Sequence, residues 1–227
     1  LSALLAGLAP GESVAGLFSV SEFDENTHVF FATRGGLIKR TSLAEYDVRN
    51  KKIAACGLSE GDSIIAVHLL SEESDFLVIT RGGMAIRFSS SDVPAMGRVA
   101  KGVKAVALDK GDSVVMAAPI ANDDEVAVFT ELGYAKLTYV TEFETQHRGG
   151  KGVKAISFFK NGSTGTYVAA AFPVSEPCGV VVTLKSGQTF SLSSEELVRQ
   201  DRVGRGSSVV LAVLGDIVVS AGKSFLS

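Results

Sequence analysis

The sequence predicts an all-β protein built as a propeller-like array of four-stranded blades. Three observations carry this expectation. A unit of about 50 residues recurs four times along the 227-residue chain. Every copy sets strand-like runs around tight glycine turns. Hydrophobic residues make up 46% of the chain, and Val and Ile among them favour strands.

The first half of the repeat reads as strand, turn, strand. Four segments align without gaps: FFATRGGLIKRTSLAEY from Phe30, LVITRGGMAIRFSSSDV from Leu77, AVFTELGYAKLTYVTEF from Ala127 and VVTLKSGQTFSLSSEEL from Val181. The aligned glycines are Gly36, Gly83, Gly133 and Gly187. Glycine there permits the positive φ that a two-residue hairpin turn demands. The second half runs RNKKIAACGLSEGDSIIAV from Arg49, RVAKGVKAVALDKGDSVVMA from Arg98, HRGGKGVKAISFFKNGSTGTYVAAA from His147 and RVGRGSSVVLAVLGDIVVSA from Arg202. It reads as a basic glycine-containing loop, a short strand, an acidic Gly-Asp turn and a final apolar strand. The third copy loses the acidic turn and gains a residue.

One domain over 1–227 follows, with four complete repeats at about 24–70, 71–120, 121–174 and 175–227. A remnant at 1–23 resembles the end of a further blade, since Gly11-Glu12-Ser13 matches Gly61-Asp62-Ser63. Its first ten residues read equally as loop, helix or strand. Leu1, in place of Met, points to a fragment or a processed chain. No apolar run approaches the roughly 18 residues of a membrane helix, and no signal peptide is evident.

The net charge of −3 argues against a nucleic-acid partner, but its distribution argues for one. Three cations occupy each basic loop: Arg49, Lys51 and Lys52; Arg98, Lys101 and Lys104; Arg148, Lys151 and Lys154; Arg199, Arg202 and Arg205. Asp201 alone opposes them locally, and the remaining acids fall mostly in the Gly-Asp turns or before the hairpins. One blade edge is therefore expected to be basic and another acidic. In a radial array the loops form a curved track, and strand alternation extends it to some of Lys39, Arg40, Arg87 and Lys136. The neighbouring glycines allow backbone N–H groups close to phosphate. A single basic loop is ordinarily a solvated surface, but four in register favour non-sequence-specific, salt-sensitive binding of duplex DNA. Sparse aromatics disfavour stacking on single strands. The competing reading is a propeller-like scaffold that holds a protein partner on its acidic turns or central face.

No catalytic constellation emerges. His28 and His68 lie in apolar strand-like runs, and His147 sits in a loop. Ala221–Ser224 imitates a phosphate-binding loop, but Ile217 stands where its leading glycine belongs. Glu195 and Glu196 read as solvated surface. Cys56 and Cys178, isolated from other ligands, read as buried thiols of a reducing cytoplasm, and no metal or cofactor is expected.

Gln146–Gly152, QHRGGKG, resembles the glycine-rich basic box in the C-terminal domain of the DNA gyrase A subunit, with His147 in place of the box's second basic residue. The TRGG hairpins, the segments that follow them and the Gly-Asp turns are similar to the repeats of gyrase and topoisomerase IV A subunits, from about Gly11 to Ser220. The resemblance implies a β-pinwheel, in which each blade takes a strand from its neighbour and duplex DNA bends around the rim. It adds Gln146, His147, Gly149, Gly150 and Gly152 to the DNA-binding set. It further implies a non-catalytic accessory domain of a bacterial, nucleoid-associated type IIA topoisomerase. The cleavage tyrosine would lie in an N-terminal region of the A subunit and the ATPase in a B subunit. The box belongs to the first of six blades in gyrase but to the third repeat here. That displacement leaves the choice between gyrase and topoisomerase IV open, while the last repeat, Arg199–Val210, and the insertion Phe159–Gly165 are more similar to topoisomerase IV A subunits of Gram-positive bacteria and favour that enzyme.

Overall fold

A computed structural model describes residues 8–9, 11–50, 52–211 and 215–224. Lys51 and most of the first ten residues lie outside the described residues. The chain forms four small antiparallel sheets, one per repeat, with single-turn 3-10 helices after the hairpins. In blade 1, β1 (His28–Thr33) pairs with β2 (Leu37–Ser42) on one side and β3 (Ile64–Leu70) on the other. Its fourth strand, β6 (Val103–Lys104), comes from the basic loop of the second repeat and pairs with Leu37 and Ile38.

Blade 2 repeats the plan with β4 (Asp75–Thr80), β5 (Met84–Ser89), β7 (Val114–Ile120) and the borrowed β10 (Val153–Lys154). Blade 3 uses β8 (Glu125–Thr130), β9 (Tyr134–Tyr139), β11 (Val168–Val174) and the borrowed β14 (Ser207–Ser208). Blade 4 holds β12 (Gly179–Leu184), β13 (Thr189–Ser193) and β15 (Val218–Lys223), three strands among the described residues rather than the expected four. The short strand of each later repeat is thus lent to the blade before it, the exchange that the family resemblance implies. A repeat read in isolation assigns that strand to its own sheet.

The hairpins also differ from the two-residue turn expected. Three residues separate Thr33 from Leu37, and the N–H of Gly36 donates to Thr33 O at 3.1 Å. Gly36, Gly83, Gly133 and Gly187 take φ between +79° and +90°, which matches a three-residue loop closed by a left-handed glycine. A carboxylate from the Gly-Asp turn locks each tip in repeats 1, 2 and 4. Asp62 accepts from Gly35 N at 2.8 Å, Asp112 from Gly82 N at 2.8 Å and Asp216 from Ser186 N at 3.1 Å.

The third repeat reverses the arrangement. Glu131, at the hairpin tip where Arg34 and Arg81 stand in the first two repeats, accepts from Thr166 N at 2.6 Å and Tyr167 N at 3.2 Å across the divergent turn. The acidic turn that this repeat loses has been replaced by a carboxylate on the opposite partner.

The core lies between blades. Phe30, Ala32 and Ile38 face Phe76, Val78 and Phe88 of blade 2; Leu77 and Ile79 face Val126 and Val128 of blade 3. Ala127 and Phe129 then face Val180 and Val182 of blade 4. The first hairpin strands of blades 2 and 3 are apolar on both faces because each face meets a neighbour, and β8 is buried throughout. Strand β13 instead alternates, with Thr189 and Ser191 exposed, so blade 4 ends the stack on a polar face. The final strands β3, β7, β11 and β15 pack against one another in series. They form the inner edge, and the borrowed strands lie at the opposite, outer edge.

Candidate nucleic-acid interface

Each of the last three basic loops is fastened at both ends to the outer edge of the preceding blade. On entry, Met96 N donates to Arg40 O at 2.9 Å, Gln146 N to Arg87 O at 2.7 Å and Gln200 N to Leu137 O at 2.9 Å. On exit, the borrowed strand joins the sheet. The loops therefore project from the rim, one blade back from the repeat that encodes them. The first-repeat counterpart, 52–58, forms no strand.

The glycines before the borrowed strands serve this fastening. Gly102 and Gly152 have φ of +100° and +72°, and a Cβ on either would run into the backbone carbonyl of Ile38 or Ala85. Within the box, Gly149 N–H donates to Ala105 O at 2.6 Å and Gly150 O accepts from Ala107 N at 2.8 Å. Gly149 thus spends its N–H on the protein itself.

The cations divide into three groups. Arg49, Lys52, Lys101, Lys104 and Lys154 are exposed and form no ion pair among the described residues. A second group is exposed but engaged. Lys151 pairs with Asp109 at 2.6 Å, Arg199 makes a two-point contact with Glu125 at 2.7 and 3.0 Å, and Arg205 lies 4.2 Å from the Phe159 ring centroid. The Glu125 hydrogen bond and charge hold the Arg199 guanidinium more firmly protonated.

A third group is half-buried: Arg98, Arg148 and Arg202. Arg148 donates to Asp92 O at 2.8 Å and Lys104 O at 3.0 Å, and Arg202 donates to Lys154 O at 3.3 Å. His147 is exposed beside Arg148, and Gln146 is exposed to a lesser degree at the loop entry.

The outward placement expected along the second hairpin strand fails for Lys39, Lys136 and Arg87. Lys39 and Lys136 have no solvent exposure, and Arg87 retains 9%. Burial pushes the Lys136 ammonium down to about 8 and lowers Lys39 as well. Lys39 Nζ donates to Ala55 O at 2.9 Å and to Arg98 O; Lys136 Nζ donates to Asp201 O at 2.6 Å. Arg87 pairs with Asp75 at 2.7 Å and donates to Asn122 at 2.5 Å. Arg40 is half-buried, with Nε lacking a hydrogen-bond partner. Alternation fails as a guide because both faces of these strands meet another part of the protein.

Charge segregation is also incomplete. Asp109 reaches Lys151, Glu45 accepts from Arg98 N at 3.1 Å, and Glu142 accepts from Arg202 N at 2.7 Å. Acids distant in sequence thus anchor the basic loops. The two cysteines are half-buried free thiols rather than fully buried ones. His68 packs edge-on to Phe76 and bonds Ala117 O at 2.8 Å, and burial pushes its pKa down.

The family model described as DNA gyrase C-terminal domain, beta-propeller, matches residues 27–71, 74–121 and 124–163. The DNA gyrase A subunit of Chlamydia trachomatis is 39% identical over 102 residues, a match covering 44% of this chain and 12% of that protein. The Halalkalibacterium halodurans homologue is 40% identical over 94 residues, covering 41% of this chain and 11% of that one. Among solved structures, a topoisomerase IV C-terminal domain superposes with TM-score 0.84 at 25% identity, covering 90% of this chain and 64% of its own. A DNA gyrase A C-terminal domain gives 0.81 at 20% identity, covering 97% and 73%.

Proposed function

From the premise that this chain belongs to the DNA gyrase C-terminal domain family, we propose that it binds duplex DNA along its outer rim and bends it without reading sequence. The observation that carries this reading is the set of exposed, unpaired cations Lys101, Lys104 and Lys154 on successive loops of one edge. Phosphates are the complementary partner, since the loops follow the blade array and offer point charges rather than stacking platforms. Bending follows from contact at several points along a curved rim, each phosphate contact offsetting part of the deformation energy.

In this reading the domain performs no cleavage. It serves the rest of an A subunit, whose tyrosine cuts DNA, and a separate ATPase subunit supplies the energy. The last repeat, Arg199–Val210, and the Phe159–Gly165 insertion support the topoisomerase IV branch. Exchanging this domain into a topoisomerase IV and a gyrase, and comparing decatenation with supercoiling, tests that assignment.

The binding itself is tested by anisotropy titration of a duplex of about 40 base pairs across a salt series. Log affinity should fall linearly with log salt, and Lys101→Ala, Lys104→Ala and Lys154→Ala together should reduce the slope by about 0.9 for each phosphate interaction removed. No detectable binding at about 50 mM salt would overturn the proposal.

A further inference from the structure

Two lysines in this fold occupy positions that stability alone does not explain. Lys39 on β2 and Lys136 on β9 stand at the same register of blades 1 and 3, both fully buried. Their ammonium groups reach the loop above rather than the apolar layer. Lys39 grips Arg98 O in the second basic loop, together with Ala55 O of the first. Lys136 grips Asp201 O at the start of the fourth. Two residues on, Thr41 and Thr138 donate to Met96 O at 2.9 Å and Gln200 O at 3.1 Å.

Blades 2 and 4 place Ile86 with Phe88, and Phe190 with Leu192, in those same two positions. An apolar pair therefore fits this register, and the alternate blades fold around it. Burying an ammonium there has a cost, which the downward shift of both lysines records. The loop over blade 2 has Ile86 in place of a buried lysine beneath it; Asp75 accepts from Thr145 Oγ1 at its entry, and its own Arg148 bonds Asp92 O and Lys104 O.

We propose that Lys39 and Lys136 are positioning residues, staples that hold the second and fourth basic loops in the geometry that meets DNA phosphates. This inference rests on the DNA-binding reading above. The staples leave Lys101 and Lys104 free of any holding duty and Arg205 resting on Phe159 with its charge intact, and they fix the backbone from which those side chains project. A loop ordered before binding loses less conformational freedom when phosphate arrives.

The test uses Lys136→Met and Lys39→Met in the full chain, because an unbranched apolar side chain mimics what blades 2 and 4 already carry. Three quantities are measured: melting temperature, hydrogen exchange of the Arg202, Gly204 and Gly206 amides, and affinity for a duplex of about 40 base pairs. The expected result for Lys136→Met is an unchanged or raised melting temperature, with those amides exchanging roughly tenfold faster. Affinity should fall several-fold, and Lys136→Arg should recover part of both losses. Unchanged exchange at the three amides overturns the staple whatever happens to DNA binding. Faster exchange with unchanged affinity overturns its part in binding and leaves the DNA-binding reading standing. Failure of the unsubstituted chain to bind DNA overturns both readings of the rim, while exchange still decides whether the lysine orders the loop. Should Lys136→Met not fold, Thr138→Val removes the second grip on the same loop and is judged by the same amides.

Discussion

Replacing Gly102 by Ala probes the strand exchange directly. Gly102 has φ +100°, and an added Cβ would lie 2.5 Å from Ile38 O and 3.0 Å from Ile38 C. Ordinary contact is restored only if one backbone retreats by about 1 Å, which removes attractive contact along the edge. The element that can yield is β6, only two residues long, and its retreat strains its pairing with Leu37 and Ile38 and the 2.8 Å bond from Ala105 N to Gly36 O. The left-handed conformation costs a non-glycine residue about 1 kcal/mol, and each hydrogen bond broken costs about 1 kcal/mol more. Two such losses bring the total to roughly 3 kcal/mol.

Gly111 is the control. Its φ is +82°, and nothing lies within 4 Å of the added atom, so Gly111→Ala should cost only about 1 kcal/mol. Urea unfolding followed by circular dichroism measures both, with unchanged slopes indicating a true stability difference. Equal costs for the two substitutions would refute the close-approach argument. A Gly102→Ala variant of normal stability that has lost DNA affinity would instead show that the glycine makes room for phosphate.

Other outcomes follow from individual contacts. Asp109→Asn frees Lys151 and should strengthen DNA binding by roughly two- to fivefold, a modest gain because the pair is largely exposed; unchanged affinity in the same titration would count Lys151 out of the interface. Glu131→Gln presents an amide donor to the N–H groups of Thr166 and Tyr167 and should cost about 2 kcal/mol in urea unfolding. Arg87→Leu strands Asp75 and Asn122 and should cost about 3 kcal/mol, whereas Arg40→Leu should be nearly neutral, since Leu137 fills that register in blade 3. For Lys136, the folded state releases its proton near pH 8 and the unfolded state near 10.5. The unfolded state binds more protons between those values, so stability relative to Lys136→Met should rise across that window by roughly 2–3 kcal/mol. A flat or falling difference between the two proteins' urea midpoints would contradict the buried ammonium.

The repeat and the hairpins were legible because glycine and strand periodicity are local signals. Gly36, Gly83, Gly133 and Gly187 mark the hairpin tips, and the structure places a turn at each. What sequence does not contain is which sheet a two-residue strand joins. Val103 and Lys104 carry no mark of pairing one blade back, because their hydrogen bonds use backbone groups that every residue has. Side-chain direction failed for a related reason. Alternation separates core from solvent only where one face of a sheet is solvated, and Lys39, Arg87 and Lys136 sit in sheets covered on both faces. The exchange of carboxylates at Glu131 was equally hidden: the missing Gly-Asp turn was visible, its replacement on the facing hairpin tip was not.

The position that faces the outermost loop cation decides how much charge each loop has left for a partner. Asp109 contacts Lys151 of the next repeat, and Phe159, aligned with it, lies under Arg205; Ser59 holds the equivalent place opposite Lys101. Asp109 offsets its cation, Phe159 holds its cation without removing charge, and Ser59 brings no charge to bear. With Arg148 and Arg202 tied to carbonyls and Arg199 held by Glu125, unpaired charge concentrates on Arg49, Lys52, Lys101, Lys104 and Lys154. The loop with the most recognisable motif therefore keeps only Lys154 of its three cations unpaired, and the fourth loop has all three engaged. If DNA binds this rim, its tightest contacts should fall on the first two basic loops, where charge is free and Lys39 holds the backbone from beneath. Alanine substitution of Lys101 and Lys104 should accordingly weaken binding more than substitution of Arg148 and Lys151; the reverse order would mean that DNA displaces the internal partners and that the motif, not the free charge, marks the site.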